Sequence, residues 1–168
     1  MDPGWHTYWK NPGDAGSPTK IEWQLPPGFT AGEIQWPLPE KLPPADVTTY
    51  GYENEVVLLV PLTLASNLPA GPLNLAAKVS WLECKESCIP ADAKIAAKIN
   101  VGSETKTSAD AAIIESWKKK VPQSHQIFSL QANWETAAGD DTRPLIIQGR
   151  QIASNFIQLN APDFFPED

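Results

Sequence analysis

Cysteine, histidine and methionine are almost missing from this chain: 168 residues hold two cysteines, two histidines and one methionine. A metal centre therefore has little to draw on. Two thiolates would need two further ligands, and only His6 and His125 stand beside the carboxylates. With a single methionine, the chain also lacks a thioether-rich copper site. Basic charge is scarce as well. The net charge of −7 argues against nucleic-acid backbones and anionic membranes, both of which want a basic patch. No apolar run approaches the roughly 18 residues needed to cross a bilayer. The opening MDPGWHTYWK has neither a basic n-region nor an apolar h-region, so no signal peptide is visible. The final FFPED comes without a closing element, as expected of a segment cut from a longer protein. A Ser/His/Asp order, a phosphate loop and a paired-carboxylate motif are all lacking.

Proline and tryptophan, by contrast, are abundant, at 17 and seven residues. Proline at this level disfavours long helices and suits strands joined by stiff turns. Period-2 runs confirm the bias. Trp5, Thr7 and Trp9 alternate with His6, Tyr8 and Lys10, before a dense turn signal at 11–18. Ile21, Trp23 and Leu25 form a second run. Ile34, Trp36 and Leu38 form a third, marked as edge or irregular by Pro37 and Pro39. Residues 39–52 read as a proline-rich loop ending in aromatics, and Glu55 to Ala65 as a central strand. Alternation returns over Leu73 to Trp81 and Ile95 to Val101. One helix is expected over Ser108 to Lys120, capped by Ser108, with Asp110 in its first turn and Ile113, Ile114 and Trp117 on its apolar face. Strand-like runs follow at Phe128 to Trp134, Leu145 to Ile147 and Ile157 to Leu159. The expected organisation is all-β: a β-sandwich at 4–105, a helical linker at 106–122, and strands of a second, incomplete β unit at 123–168.

Both cysteines fall in WLECKESCIP, at Cys84 and Cys88, between the two best strand runs. Helical placement is disfavoured, because Pro90 follows at once and both flanks have period 2. Three readings remain. A structural staple closing about five residues would remove little unfolded-state entropy, about 2 kcal/mol. A metal clamp lacks ligands. A redox pair could be opened by an incoming thiolate through a mixed disulfide and re-formed by its second thiol. Glu83 and Glu86 outweigh Lys85 nearby, so nothing in the local sequence obviously stabilises a thiolate. That suits a relay acting on docked partners. The remaining conspicuous residues have plainer readings. WHTYW at 5–9 is core packing, His6 is a hydrogen-bonded strand residue, and Asp14 serves its own turn.

Several motifs in order, GWHTYWKNPGDAGSPTKIEWQLPPGF, IQWPLPEKL, TYGYENEVVLLVPL and VSWLECKESCIP, resemble the N-terminal periplasmic domain of the thiol:disulfide interchange protein DsbD, in its ScsB-like branch. The resemblance covers residues 4–105. It implies an immunoglobulin-like β-sandwich without a bound cofactor, acting as a thiol–disulfide oxidoreductase within a larger inner-membrane protein. Such a domain takes electrons from a membrane-embedded domain and passes them to periplasmic oxidoreductases, for disulfide isomerisation, cytochrome c maturation or copper-stress defence. By position, Cys88 matches the family's exchanging cysteine and Cys84 its resolving partner, although the pair is closer together than in the best-known members. The family's cap loop, which shields the pair with an aromatic, falls at 48–53. Thr49 holds the place of the usual phenylalanine, which leaves Tyr50 and Tyr52 as candidate shields beside a hinge at Gly51. The alternatives to this function are a non-catalytic β-sandwich binding module with a structural disulfide, and a copper-binding domain.

Overall fold

The structure is a computed structural model that describes residues 1–43, 46–123, 128–135, 144–151 and 165–166. Among these residues, ten strands and one helix follow one another: β1 (His6–Gly13), β2 (Lys20–Gln24), β3 (Phe29–Ala31), β4 (Glu40–Leu42), β5 (Thr49–Glu53), β6 (Leu62–Leu64), β7 (Gly71–Cys84), β8 (Cys88–Val101), α1 (Ala111–Lys118), β9 (Phe128–Trp134) and β10 (Leu145–Gln151). The chain divides into two compact units. One is Met1–Pro122 together with the stretch from Phe165, and the other is Gln123–Phe164. No helix among the described residues is long and apolar enough to cross a membrane.

A six-stranded antiparallel sheet organises the first unit. Its spine is the β7–β8 hairpin, two strands of 14 residues each that pair from Gly71↔Val101 to Cys84↔Cys88. The other edge of β7 is shared. Its middle pairs with β2, from Lys20↔Ser80 to Gln24↔Ala76. Its last residue pairs with β1, as His6↔Cys84. β1 then pairs with β5, and β5 with β4. Side chains directly opposite one another in an antiparallel pair share a face, and neighbours along a strand alternate. These two rules sort the residues around the cysteines. His6, Tyr8, Gly51, Glu53 and Cys84 lie on one face; Thr7, Trp9, Tyr50 and Tyr52 lie on the other.

The second of these faces carries the core. Trp9, Tyr50 and Tyr52 are buried together, with Trp36, Val56 and Phe165 packed against them. The Tyr52 hydroxyl donates to the Pro37 carbonyl at 2.7 Å. The edges of Tyr50 and Phe165 meet at a centroid distance of 5.5 Å. WHTYW is thus largely core packing, as its period suggests.

Several elements differ from the sequence expectation, each for a physical reason. The run at 34–38 forms only an isolated bridge, Gln35↔Leu59, because Pro37 and Pro39 cannot donate to a ladder. Most of 55–65 is not a central strand. Only Leu62–Leu64 is β, paired with β3 in a two-stranded ribbon. Conversely, the expected loop at 39–52 contains β4 and β5, so its aromatics are strand residues. Asp14 does not serve its own turn. Its carboxylate accepts from Thr48 N at 2.9 Å and its amide donates to the Thr48 carbonyl at 2.8 Å, which ties the end of β1 to the start of β5.

The helix is shorter than expected. Asp110 is its N-cap residue without a side-chain cap bond, while Ser108 Oγ accepts from Asp110 N in the preceding turn. Trp117 is buried, with the Lys120 ammonium 3.6 Å over its ring, whereas Ile113 is exposed. The Lys120 carbonyl accepts from Leu38 N at 2.9 Å, so α1 packs as part of the first unit.

In the second unit, β9 and β10 pair over Phe128↔Gln151 to Trp134↔Leu145. The strand expected over Ile157 to Leu159 lies outside the described residues.

Candidate functional site

The alternating runs on both sides of WLECKESCIP continue inward until only Lys85, Glu86 and Ser87 remain as the turn of the β7–β8 hairpin. Cys84 ends one strand and Cys88 begins the next. They face each other in the last pair of the ladder with Cα atoms 4.1 Å apart, and their sulfurs are bonded. A period-2 strand pair thus brings two cysteines four positions apart to the same point. The ladder supplies the juxtaposition without help from the bond. Reducing the disulfide should therefore lower the unfolding free energy by at most about 2 kcal/mol and leave the fold intact. Urea unfolding with and without dithiothreitol checks this, and global unfolding on reduction would contradict it.

The two sulfurs have unlike surroundings. Cys84 is 2% exposed, while Cys88, at the start of an edge strand, is exposed. Tyr8 lies against Cys84. It lies on the same face one strand away, itself buried, with its hydroxyl donating to Cys84 Sγ at 2.8 Å and lying 3.7 Å from Cys88 Sγ. Burial raises the Tyr8 phenol above its usual range, so it remains a hydrogen-bond donor at neutral pH. The ring is pinned from behind by Gly16. This residue has φ +111°, and a Cβ there would run into the Tyr8 ring carbons. The NPGDAGSP turn is therefore a backing plate for Tyr8, and glycine is required at this position for both conformation and space.

His6 completes the face. It is the cross-strand neighbour of both Cys84 and Glu53, and its ring meets Tyr8 edge-on at 5.3 Å. Burial holds its imidazole below the usual value, opposed by the Glu53 carboxylate. The unfolded chain takes a proton near pH 6.5, which the folded site resists. Stability tied to His6 is thus fully present above about pH 6.5 and lost as the pH falls through the lower folded value. His6→Gln is expected to flatten the loss of stability on acidification from pH 7.5 to 5, read as urea midpoints; a curve parallel to wild type would contradict it.

Tyr50 and Tyr52 are not brought to the disulfide. Both belong to the core on the opposite face of the sheet, and Gly51 is no hinge. It sits in the middle of β5, paired with Tyr8 on one side and Glu40 on the other. A Cβ there would meet the Thr7 carbonyl and Leu42 Cδ1. The aromatic that reaches the disulfide is Tyr8, from β1, with its hydroxyl against Cys84. Glu83 also points away from the sulfurs: alternation places it on the other face, where its carboxylate accepts from Trp81 Nε1 at 3.1 Å. The sequence does hold a signal for Tyr8, since alternation puts it on the His6 face, but nothing local reveals that β1 ends up beside residue 84.

A family model described as "Thiol:disulfide interchange protein DsbD, N-terminal" matches residues 1–100. Among solved structures, the crystal structure of the N-terminal periplasmic domain of ScsB from Proteus mirabilis is similar. Its TM-score is 0.50 at 20% identity, over 90% of this chain and 72% of that one. No curated protein sequence matches. The fold shown is the all-β, immunoglobulin-like one expected, with one short helix among the described residues.

Proposed function

The chain belongs to the family of N-terminal domains of the thiol:disulfide interchange protein DsbD, and from that membership we propose that it relays electrons through a reversible Cys84–Cys88 disulfide. Cys88 is the exchanging cysteine and Cys84 the resolving one. The observation that carries this division is the difference in exposure: a docking thiolate can reach Cys88, while Cys84 lies under Tyr8. Attack at Cys88 Sγ breaks the disulfide, forms a mixed disulfide there and releases Cys84 as a thiolate. In the opposite direction, Cys84 attacks the mixed disulfide at Cys88 and frees the partner in its reduced form. The paired strands hold the two sulfurs together throughout, so neither step needs the sheet to rearrange.

The domain works in the periplasm, as does the ScsB domain it resembles. Its electron source is a membrane-embedded domain of a larger protein, and its acceptors are thioredoxin-like oxidoreductases, in the service of cytochrome c biogenesis or copper tolerance. No cofactor enters the exchange; the electrons travel in the S–S bond. The test is the reduction potential of the Cys84–Cys88 pair, equilibrated against thiol buffers. An exchanging pair sits above about −300 mV, whereas a value well below it would mark the bond as structural and overturn the proposal.

A further inference from the structure

A thiolate released at Cys84 appears in a site that is 2% exposed, and a buried unpaired charge is costly. The groups that face this sulfur are few. His6 and Tyr8 come from β1, Glu53 from β5 lies beyond His6, and Lys85 follows in the turn with its ammonium turned toward the Pro3 carbonyl at 3.4 Å. Glu53 is negative, and the neutral His6 ring makes an edge contact with Tyr8. Among the described residues, the Tyr8 hydroxyl is the group that donates to the sulfur.

We propose that Tyr8 is a catalytic residue of the exchange: its phenolic O–H holds the negative charge that develops on Cys84 Sγ as a thiolate opens the disulfide at Cys88. The inference rests on the exchange reading above. An incoming partner thiolate bonds to Cys88 Sγ. The Cys84–Cys88 bond breaks, and its electron pair goes to Cys84 Sγ, which accepts the Tyr8 hydrogen bond. No proton is required for the step. The hydroxyl lies 2.8 Å from the sulfur that leaves and 3.7 Å from the sulfur that is attacked, so it favours opening at Cys88 over opening at Cys84. A phenol that stays protonated suits a group that must donate before and after the electrons move. The Gly16 turn fixes the ring, so that the donor is in place before a partner arrives.

The test uses Tyr8→Phe, which keeps the ring and its cover and removes only the hydroxyl. Two quantities are read: the second-order rate of disulfide opening by dithiothreitol, and the thiol pKa of Cys84 in the reduced protein. Losing one hydrogen bond to a charged group should slow opening roughly 10- to 100-fold and raise the Cys84 thiol pKa by about one to two units. Wild-type values for both would overturn the role of Tyr8 while leaving the exchange reading intact. That reading fails separately, if the wild-type pair itself lies too low in potential to exchange. Should Tyr8→Phe not fold, 3-fluorotyrosine at position 8 preserves the shape and makes a stronger donor. Faster opening with a lower Cys84 pKa supports the proposal, and unchanged values overturn it.

Discussion

Cys84→Ser is expected to leave the protein covalently attached to a thioredoxin-like partner, whereas Cys88→Ser should abolish transfer without trapping anything. Both outcomes follow from where the sulfurs lie. With Cys84 replaced, Cys88 remains at the start of an edge strand, exposed and able to form a mixed disulfide. That bond then has no exit through this chain, because the resolving thiol across the ladder is gone. With Cys88 replaced, the remaining thiol is Cys84, 2% exposed beneath Tyr8. In-line approach to it is blocked, so an adduct should form at least about 100-fold more slowly, a loss equivalent to about 2.7 kcal/mol of barrier. Non-reducing electrophoresis and intact mass after mixing with an oxidised thioredoxin-like protein would show the difference. If the two variants trapped equally, or neither trapped, the assignment of roles would fall.

Tyr52→Ala should destabilise the first unit by about 3–5 kcal/mol, much of the 5–15 kcal/mol that holds a typical domain together. Tyr52 is 5% exposed between Trp9, Tyr50 and the Trp36 segment, and truncation leaves a cavity that paired strands cannot close. Tyr52→Phe isolates the polar part. The hydroxyl bonds the carbonyl of Pro37, a fully buried residue, and losing it should cost about 1–2 kcal/mol. Because this ring lies on the face away from the sulfurs, Tyr52→Phe should leave the rate of disulfide reduction by glutathione unchanged. Urea unfolding and the glutathione rate decide together. A stable Tyr52→Ala protein whose disulfide opens faster would mean that Tyr52 shields the pair after all.

The parts of this structure that could be read in the sequence share one property: their signals are local. Leu73 to Trp81 and Ile95 to Val101 alternate so regularly that two strands, with the cysteines in the connection between them, follow from period alone, and the structure pairs them as the β7–β8 hairpin. The period of WHTYW likewise places Trp9 in the core. The mistaken expectations about the site concern contacts between distant segments. Tyr50 and Tyr52 end a proline-rich stretch that reads as a loop. Pairing with β1 and β4 makes it a strand and turns both rings into the core. Tyr8 reaches Cys84 across 76 positions of sequence, through the single pair His6↔Cys84 that joins β1 to the end of β7. No periodicity encodes that neighbourhood. For the same reason, Asp14 was legible as a turn residue but not as the clasp on Thr48, 34 positions away.

The central claim is that the disulfide opens at Cys88 and leaves its electrons on the covered sulfur of Cys84. The most direct measurement is to mix the oxidised wild-type protein with glutathione, quench with acid before Cys84 can resolve the adduct, and locate the glutathione by peptide mass mapping. The account predicts the adduct on Cys88, in at least about tenfold excess over Cys84, a difference of about 1.4 kcal/mol between the two lines of attack. Glutathione found mainly on Cys84, or evenly on both, would contradict it.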